Sequence, residues 1–132
     1  MTLALPQLRL NPTAPIAVLL ALLLPAPLAS EASAASCGGK RATIVGTAGN
    51  DVIVGKKASD VIYGGGGNDR ISGGPNGNDT ICGGPGEDRI NGGRGFDELH
   101  GDGGDDWLNG GSGSDRAEGG DGNDALNGAE GK

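Results

Sequence analysis

The sequence predicts an all-β solenoid of short parallel strands, preceded by an export signal. Three observations carry that prediction. From Gly46 onward the chain repeats every nine residues. Each repeat holds one aliphatic position between two mostly polar neighbours, the signature of a short strand with one buried side chain. Glycine supplies 29 of the 132 residues, all of them after residue 34 and most at fixed places in the repeat.

The first 34 residues form a separate element. They contain no glycine, one acid (Glu31) and one base (Arg9). The apolar run "IAVLLALLL" spans Ile16 to Leu24, and Pro25 and Pro27 follow it. Ala32-Ser33-Ala34 fits the small-residue pattern of a secretory cleavage site. The run is too short for a membrane-spanning helix, which needs about 20 residues. Residues 1–34 therefore read as a cleaved signal peptide, with cleavage after Ala34 or, as the near alternative, Ala35. The expected location is secreted or extracellular, with no membrane insertion after processing.

Removing this segment takes away one acid and one base, so the net charge stays at −7. That sign excludes nucleic acid as a partner and suits cations. The aromatic residues are Tyr63, Phe96 and Trp107. So few bulky side chains cannot offset the conformational entropy of ordering the chain. A ligand must supply part of the folding energy, or the chain stays disordered. Cys37 and Cys82 remain, and an even count in an exported protein points to a disulfide. Unpaired thiols or a lipidated Cys37 are the alternatives.

Residues 46–127 comprise nine units: GTAGNDVIV, GKKASDVIY, GGGGNDRIS, GGPNGNDTIC, GGPGEDRIN, GGRGFDELH, GDGGDDWLN, GGSGSDRAE and GGDGNDALN. Position one is always glycine. Position six is always aspartate: Asp51, Asp60, Asp69, Asp79, Asp88, Asp97, Asp106, Asp115 and Asp124. Position eight is aliphatic: Ile53, Ile62, Ile71, Ile81, Ile90, Leu99, Leu108, Ala117 and Leu126. The fourth unit has one extra residue near Pro75-Asn76, where a bulge is expected. Residues 35–45 read as a capping half-coil, with Ile44 on the aliphatic position and Ala42 in place of the aspartate. Residues 128–132 are a short tail.

The consensus GGxGxDxUx, with U aliphatic, resembles the RTX, or hemolysin-type, calcium-binding nonapeptide repeat. That resemblance implies a parallel β-roll, in which two units make one coil and the strands form two sheets. Units n and n+2 then stack about 4.8 Å apart. The aspartates fall into two columns, one holding Asp51, Asp69, Asp88, Asp106 and Asp124, the other Asp60, Asp79, Asp97 and Asp115. Like charges this close repel by roughly 0.8 kcal/mol per pair even in bulk water.

A hard cation between stacked turns reverses that repulsion. Ca²⁺ accepts six to eight oxygens in flexible geometry, whereas Mg²⁺ demands a smaller, stricter octahedron. The absence of thiolate or histidine clusters excludes zinc. Beside the aspartates, backbone carbonyls complete the expected ligand set. Their sources are Gly64, Gly65 and Gly67; Gly83, Gly84 and Gly86; Gly92, Gly93 and Gly95; Gly101 and Gly104; Gly110, Gly111 and Gly113; and Gly119, Gly120 and Gly122. Glycine at positions one, two and four is expected to permit positive φ and a tight turn.

Gaps between stacked aspartates limit the number of ions to about seven. Lys56, Lys57 and Ala58 weaken the second turn, while Asp102 and Asp121 add charge to the seventh and ninth. The chain is expected to be largely unfolded without calcium.

Other readings fare worse. No HExxH or GxSxG motif is present, and His100, the single histidine, sits at an outward position, so the chain is not read as an enzyme. Glycine is not at every third position, which excludes collagen. A regular aspartate register argues against a disordered linker. The outward residues are too mixed for an ice-binding threonine array. A calcium-dependent adhesive, matrix or scaffold protein of the cell surface is the alternative to a simple calcium-binding module. The N-terminal signal departs from the C-terminal export signal of many relatives, so toxin biology is not implied.

Overall fold

A computed structural model describes residues 35–128. The predicted signal peptide, residues 1–34, lies outside the described residues, as do residues 129–132 of the tail.

Twelve strands and no helix are present among the described residues. β1 (Ser36–Cys37) and β2 (Lys40–Arg41) form an antiparallel hairpin. β3 (Ile44–Val45), β4 (Val52–Val54), β5 (Val61–Tyr63) and β6 (Arg70–Ser72) follow. Then come β7 (Thr80–Pro85), β8 (Arg89–Arg94), β9 (Glu98–Gly103), β10 (Trp107–Ser112), β11 (Arg116–Asp121) and β12 (Ala125–Asn127). Even-numbered strands make one parallel sheet, β12-β10-β8-β6-β4, and odd-numbered strands the other, β11-β9-β7-β5-β3. Successive units thus alternate between sheets, the pattern of a β-roll of about five coils.

The aliphatic column forms the core between the sheets. Ile53, Ile71, Ile90, Leu108 and Leu126 align in register across one sheet, and Ile44, Ile62, Ile81, Leu99 and Ala117 across the other. The six central side chains, Ile62 to Leu108, are fully buried. Side chains alternate across a strand, so one buried residue per unit suffices to define the inner face. Toward the ends burial falls: Ile44, Ile53 and Ala117 are partly covered and Leu126 is 49% exposed.

Three differences from the sequence expectation have physical causes. First, β7 to β11 are six residues long, not three. The glycines after the core residue stay in ladder register, as in Gly84↔Asp102 and Gly111↔Gly93, while the chain turns. Second, the bulge expected in the fourth unit is confined to its turn, where the sequence sets no limit to its reach. Ile81 pairs with Ile62 in normal parallel register, and the insertion is absorbed at exposed Pro75 and Asn76.

Third, the N-terminal cap is a hairpin as well as a half-coil. Gly38 and Gly39 both have positive φ, 55° and 73°, as a tight two-residue hairpin turn requires. The hairpin lies over the outer face of the odd-strand sheet rather than across the end of the core. Cys37 and Cys82 form a disulfide with Cα atoms 5.6 Å apart. Lys40 Nζ donates to Thr80 Oγ1 at 2.8 Å and approaches Glu98 Oε2 at 3.3 Å. Thr80 and Cys82, outward residues of β7, are buried as a result.

Candidate metal centre

Each aspartate sits immediately before the strand that carries its core residue, so the sheet register sets the carboxylate spacing. The turn is tied to the coil above through the same side chain. The Asp51 N–H donates to Asp69 Oδ1 at 2.8 Å, Asp69 to Asp88 at 2.7 Å, Asp88 to Asp106 at 2.7 Å and Asp106 to Asp124 at 3.0 Å. The second column repeats this from Asp60 to Asp79, Asp79 to Asp97 and Asp97 to Asp115, at 2.8, 2.8 and 3.0 Å. The link from Asp60 to Asp79 spans the unit with the insertion at an ordinary length. Every gap between stacked aspartates therefore holds one such bond.

This arrangement uses one carboxylate oxygen and strands the other. Oδ2 of Asp69, Asp79, Asp88, Asp97, Asp106 and Asp115 is buried with no hydrogen-bond partner. An unpartnered buried carboxylate oxygen is costly. The first two units differ. Asp51 Oδ2 accepts from Thr47 N–H at 2.6 Å and from its hydroxyl at 2.9 Å. Asp60 Oδ2 accepts from Lys56 N–H at 2.6 Å. Their turns satisfy themselves.

Position-one glycines shape the space that the stranded oxygen faces. A Cβ on Gly64 would stand 2.5 Å from Asp69 Oδ2 and 2.5 Å from the carbonyl oxygen of Gly83, one coil on. A Cβ on Gly92 would stand 2.5 Å from Asp97 Oδ2 and 2.6 Å from Gly110 O. Gly73, Gly83 and Gly101 repeat the same pair of neighbours. Each missing Cβ thus leaves a cradle walled by one carboxylate oxygen and one backbone carbonyl oxygen.

The position-one glycines do not have positive φ, contrary to expectation; they are needed for close approach alone. Positive φ belongs to positions two and four, for example 112° at Gly93 and 146° at Gly95. Asp102 occupies a position-two site with φ of 77°, the one non-glycine residue with positive φ among the described residues.

The electrostatics follow from the stacking. Burial pushes the Asp79 and Asp88 carboxyls up to about 6, against the opposing effect of the N–H bonds from Asp60 and Asp69. The charges of their column neighbours push them further up. Asp69, Asp97 and Asp106 are raised for the same first reason. Asp102 adds to the effect on Asp88 and Asp106.

Among the described residues no three carboxylate, thiolate or imidazole side chains converge on one point. Side chains come to the columns in stacked pairs, so further oxygens at any cation must be backbone carbonyls. The donor set is all oxygen, which suits a hard cation.

Position five carries a second ladder that sequence reasoning missed. Asn50 Oδ1 accepts from Asn68 N–H at 2.8 Å, Asn68 Oδ1 from Glu87 N–H at 3.1 Å and Asn78 Oδ1 from Phe96 N–H at 3.0 Å. Asp105 Oδ1 accepts from Asn123 N–H at 2.9 Å. This ladder runs opposite to the aspartate ladder, each side chain accepting from the coil that follows. Its sequence signal was the run of short polar residues at position five, Asn50, Ser59, Asn68, Asn78, Asp105, Ser114 and Asn123.

His100 lies away from the columns, between Glu98 at 3.5 Å and Glu118 at 3.4 Å on the outer face of the odd-strand sheet. Arg70, Arg89 and Trp107 are neighbours across the even-strand sheet, as their spacing predicts.

The family of the RTX calcium-binding nonapeptide repeat matches this chain over residues 45–75, 76–99 and 100–132. The chain belongs to that family. No curated protein and no solved structure matches it.

Proposed function

We propose that this member of the RTX calcium-binding repeat family is a secreted, non-catalytic calcium-binding module whose roll is completed by ions held between stacked turns. The observation that carries the proposal is the row of six buried, partnerless Oδ2 atoms, most facing a glycine cradle with a carbonyl oxygen. Bound Ca²⁺ supplies positive charge and accepts six to eight oxygens. Asp69, Asp79, Asp88, Asp97, Asp106 and Asp115 are the residues placed to offer carboxylate oxygen. Position-one carbonyls, such as those of Gly83, Gly92, Gly101, Gly110 and Gly119, are placed to offer the next oxygens. Asp51 and Asp60 contribute less, because their second oxygens are already satisfied within the turn.

The aspartate Oδ1 atoms tie adjacent coils by accepting from aspartate N–H groups, a link that uses no cation. Oδ2 is what opposes folding when the site is empty, since six buried partnerless oxygens and two columns of like charge must be desolvated. Binding energy then becomes folding energy.

A calcium titration followed by circular dichroism and by mass measurement under non-denaturing conditions tests this. The expected result is a rise in β signal with uptake of several ions. A full β spectrum in excess chelator, unchanged by calcium, refutes it. The open, exposed face carrying Arg70, Arg89 and Trp107 favours a calcium-dependent adhesive or scaffold role as the second reading. Pull-downs in calcium and in chelator separate it from a module that only binds calcium.

A further inference from the structure

We propose that folded copies of this chain stack end to end, the C-terminal end of one roll docking on the N-terminal end of the next. The proposal rests on the calcium-completed roll described above and goes beyond it.

Among the described residues, the strands at both ends of the solenoid have one sheet partner each. β11 pairs only with β9 and β12 only with β10 among the described residues; β3 pairs only with β5 and β4 only with β6. Unpaired edges are templates for further pairing. The hairpin that would be expected to block the N-terminal end lies instead on the outer face, held to β7 by the disulfide. Among the described residues the core ends are incompletely covered, with Leu126 49% exposed and Ile44 and Ile53 partly buried.

The two ends are complementary in order, hydrogen bonding and charge. β11 lies in the odd-strand sheet and β12 in the even-strand sheet, so a continuing roll needs next an odd and then an even strand. β3 and β4 of a second copy, in the same orientation, arrive in that order. Within the chain each aspartate N–H donates to the Oδ1 of the coil that follows. Among the described residues, the Asp124 N–H has no such acceptor at the C-terminal end and Asp51 Oδ1 no such donor at the N-terminal end. Residues 37–63 hold four bases, Lys40, Arg41, Lys56 and Lys57, against two acids, for a net +2. Leaving out the column aspartates that calcium neutralises, residues 101–127 hold Asp102, Asp105, Glu118 and Asp121 against Arg116, for a net −3. Head-to-tail contact joins opposite charges, whereas tail-to-tail contact sets −3 against −3. A contact of this kind does not close on itself, so it grows into a linear assembly.

Sedimentation of the purified chain in saturating calcium tests the proposal, over about 1 µM to 1 mM, with circular dichroism on the same samples. The expected result is a weight-average mass that rises with concentration and falls with added salt. Leu126→Glu places a charge between the stacked cores and is expected to weaken association about tenfold or more. Lys56→Glu with Lys57→Glu turns the net +2 of that end into −2 and is expected to weaken association and to reverse its salt dependence. Both variants should keep the β signal of the parent. A constant monomer mass with a full β signal overturns the proposal. Undiminished assembly of Leu126→Glu overturns it as well. A missing β signal in the parent would instead contradict the calcium-completed roll on which the proposal rests.

Discussion

Gly92→Ala and Gly103→Ala form a matched pair that tests whether the cradles matter. Neither residue has positive φ, so alanine is sterically permitted in the backbone at both. At Gly103 the new Cβ meets nothing within 4 Å. At Gly92 it would stand 2.5 Å from Asp97 Oδ2 and 2.6 Å from Gly110 O. Both lie under the 3.0 Å that real Cβ contacts respect. Relief requires moving a backbone carbonyl or the carboxylate that accepts from Asp79 N–H at 2.8 Å. Overpacking costs about 1–3 kcal/mol, and weakening that bond adds about 1 kcal/mol. Gly103→Ala should instead stabilise by about 0.4–1 kcal/mol, by restricting the unfolded chain. The pair should therefore separate by roughly 2–5 kcal/mol. At about 4–8 °C per kcal/mol for a domain of this size, that is about 10 °C or more in Tm. Thermal melts in saturating calcium read the stability, and calorimetry reads calcium affinity. Gly92→Ala should lose both, Gly103→Ala neither. Equal melting temperatures, or unchanged calcium affinity in Gly92→Ala, would refute the cradle as a site.

Three further outcomes follow from the columns and the cap. Asp88→Asn keeps an acceptor for Asp69 N–H and turns a donor toward the carbonyl of Gly101, so the variant should gain β signal in chelator yet take up fewer calcium ions by native mass. In chelator, the parent should gain β signal as pH falls from about 7 to 5, because Asp79 and Asp88 titrate in the fold near 6, above the unfolded value of about 4. Raised folded values mean that their stabilising contribution is complete below the unfolded value and is lost as pH rises through about 6; a β signal that falls on acidification in this range would contradict the burial assigned to these carboxyls. Cys37 and Cys82 are 45 residues apart, for which the chain-entropy estimate is about 4 kcal/mol, so Cys37→Ser with Cys82→Ser should lower the denaturation midpoint in calcium markedly. An unchanged midpoint would show that the hairpin is held by Lys40 and packing alone.

How much was legible in the sequence differs from element to element. The aspartate and aliphatic columns were readable because one nine-residue period imposes the same environment on every copy. Knowing the period is enough to pair Ile62 with Ile81 and Asp79 with Asp97. The role of position one was not readable. A glycine required for close approach and one required for positive φ look alike in sequence, and only the contacts of Gly92 and Gly93 tell them apart. The bulge expected at Pro75-Asn76 stays in the turn and spares the core. An insertion disturbs a column only if the extra residue lies in the ladder, and here it leaves through an exposed loop. The hairpin was missed because "CGGKR" was aligned to the repeat, although Gly-Gly between short extended pairs is also a hairpin signal.

By itself the sequence determined the fold class, the sheet partner of every repeat and the chemical class of the ligand. All three depend on periodicity and residue type, which translation along a solenoid copies faithfully. Only the tertiary structure decided which carboxylate oxygen ties the coils together and which is left without a partner. Only it placed the N-terminal hairpin on a sheet face and, among the described residues, gave each end strand a single partner. These depend on where one coil's backbone meets another's side chain, a distance no single repeat encodes.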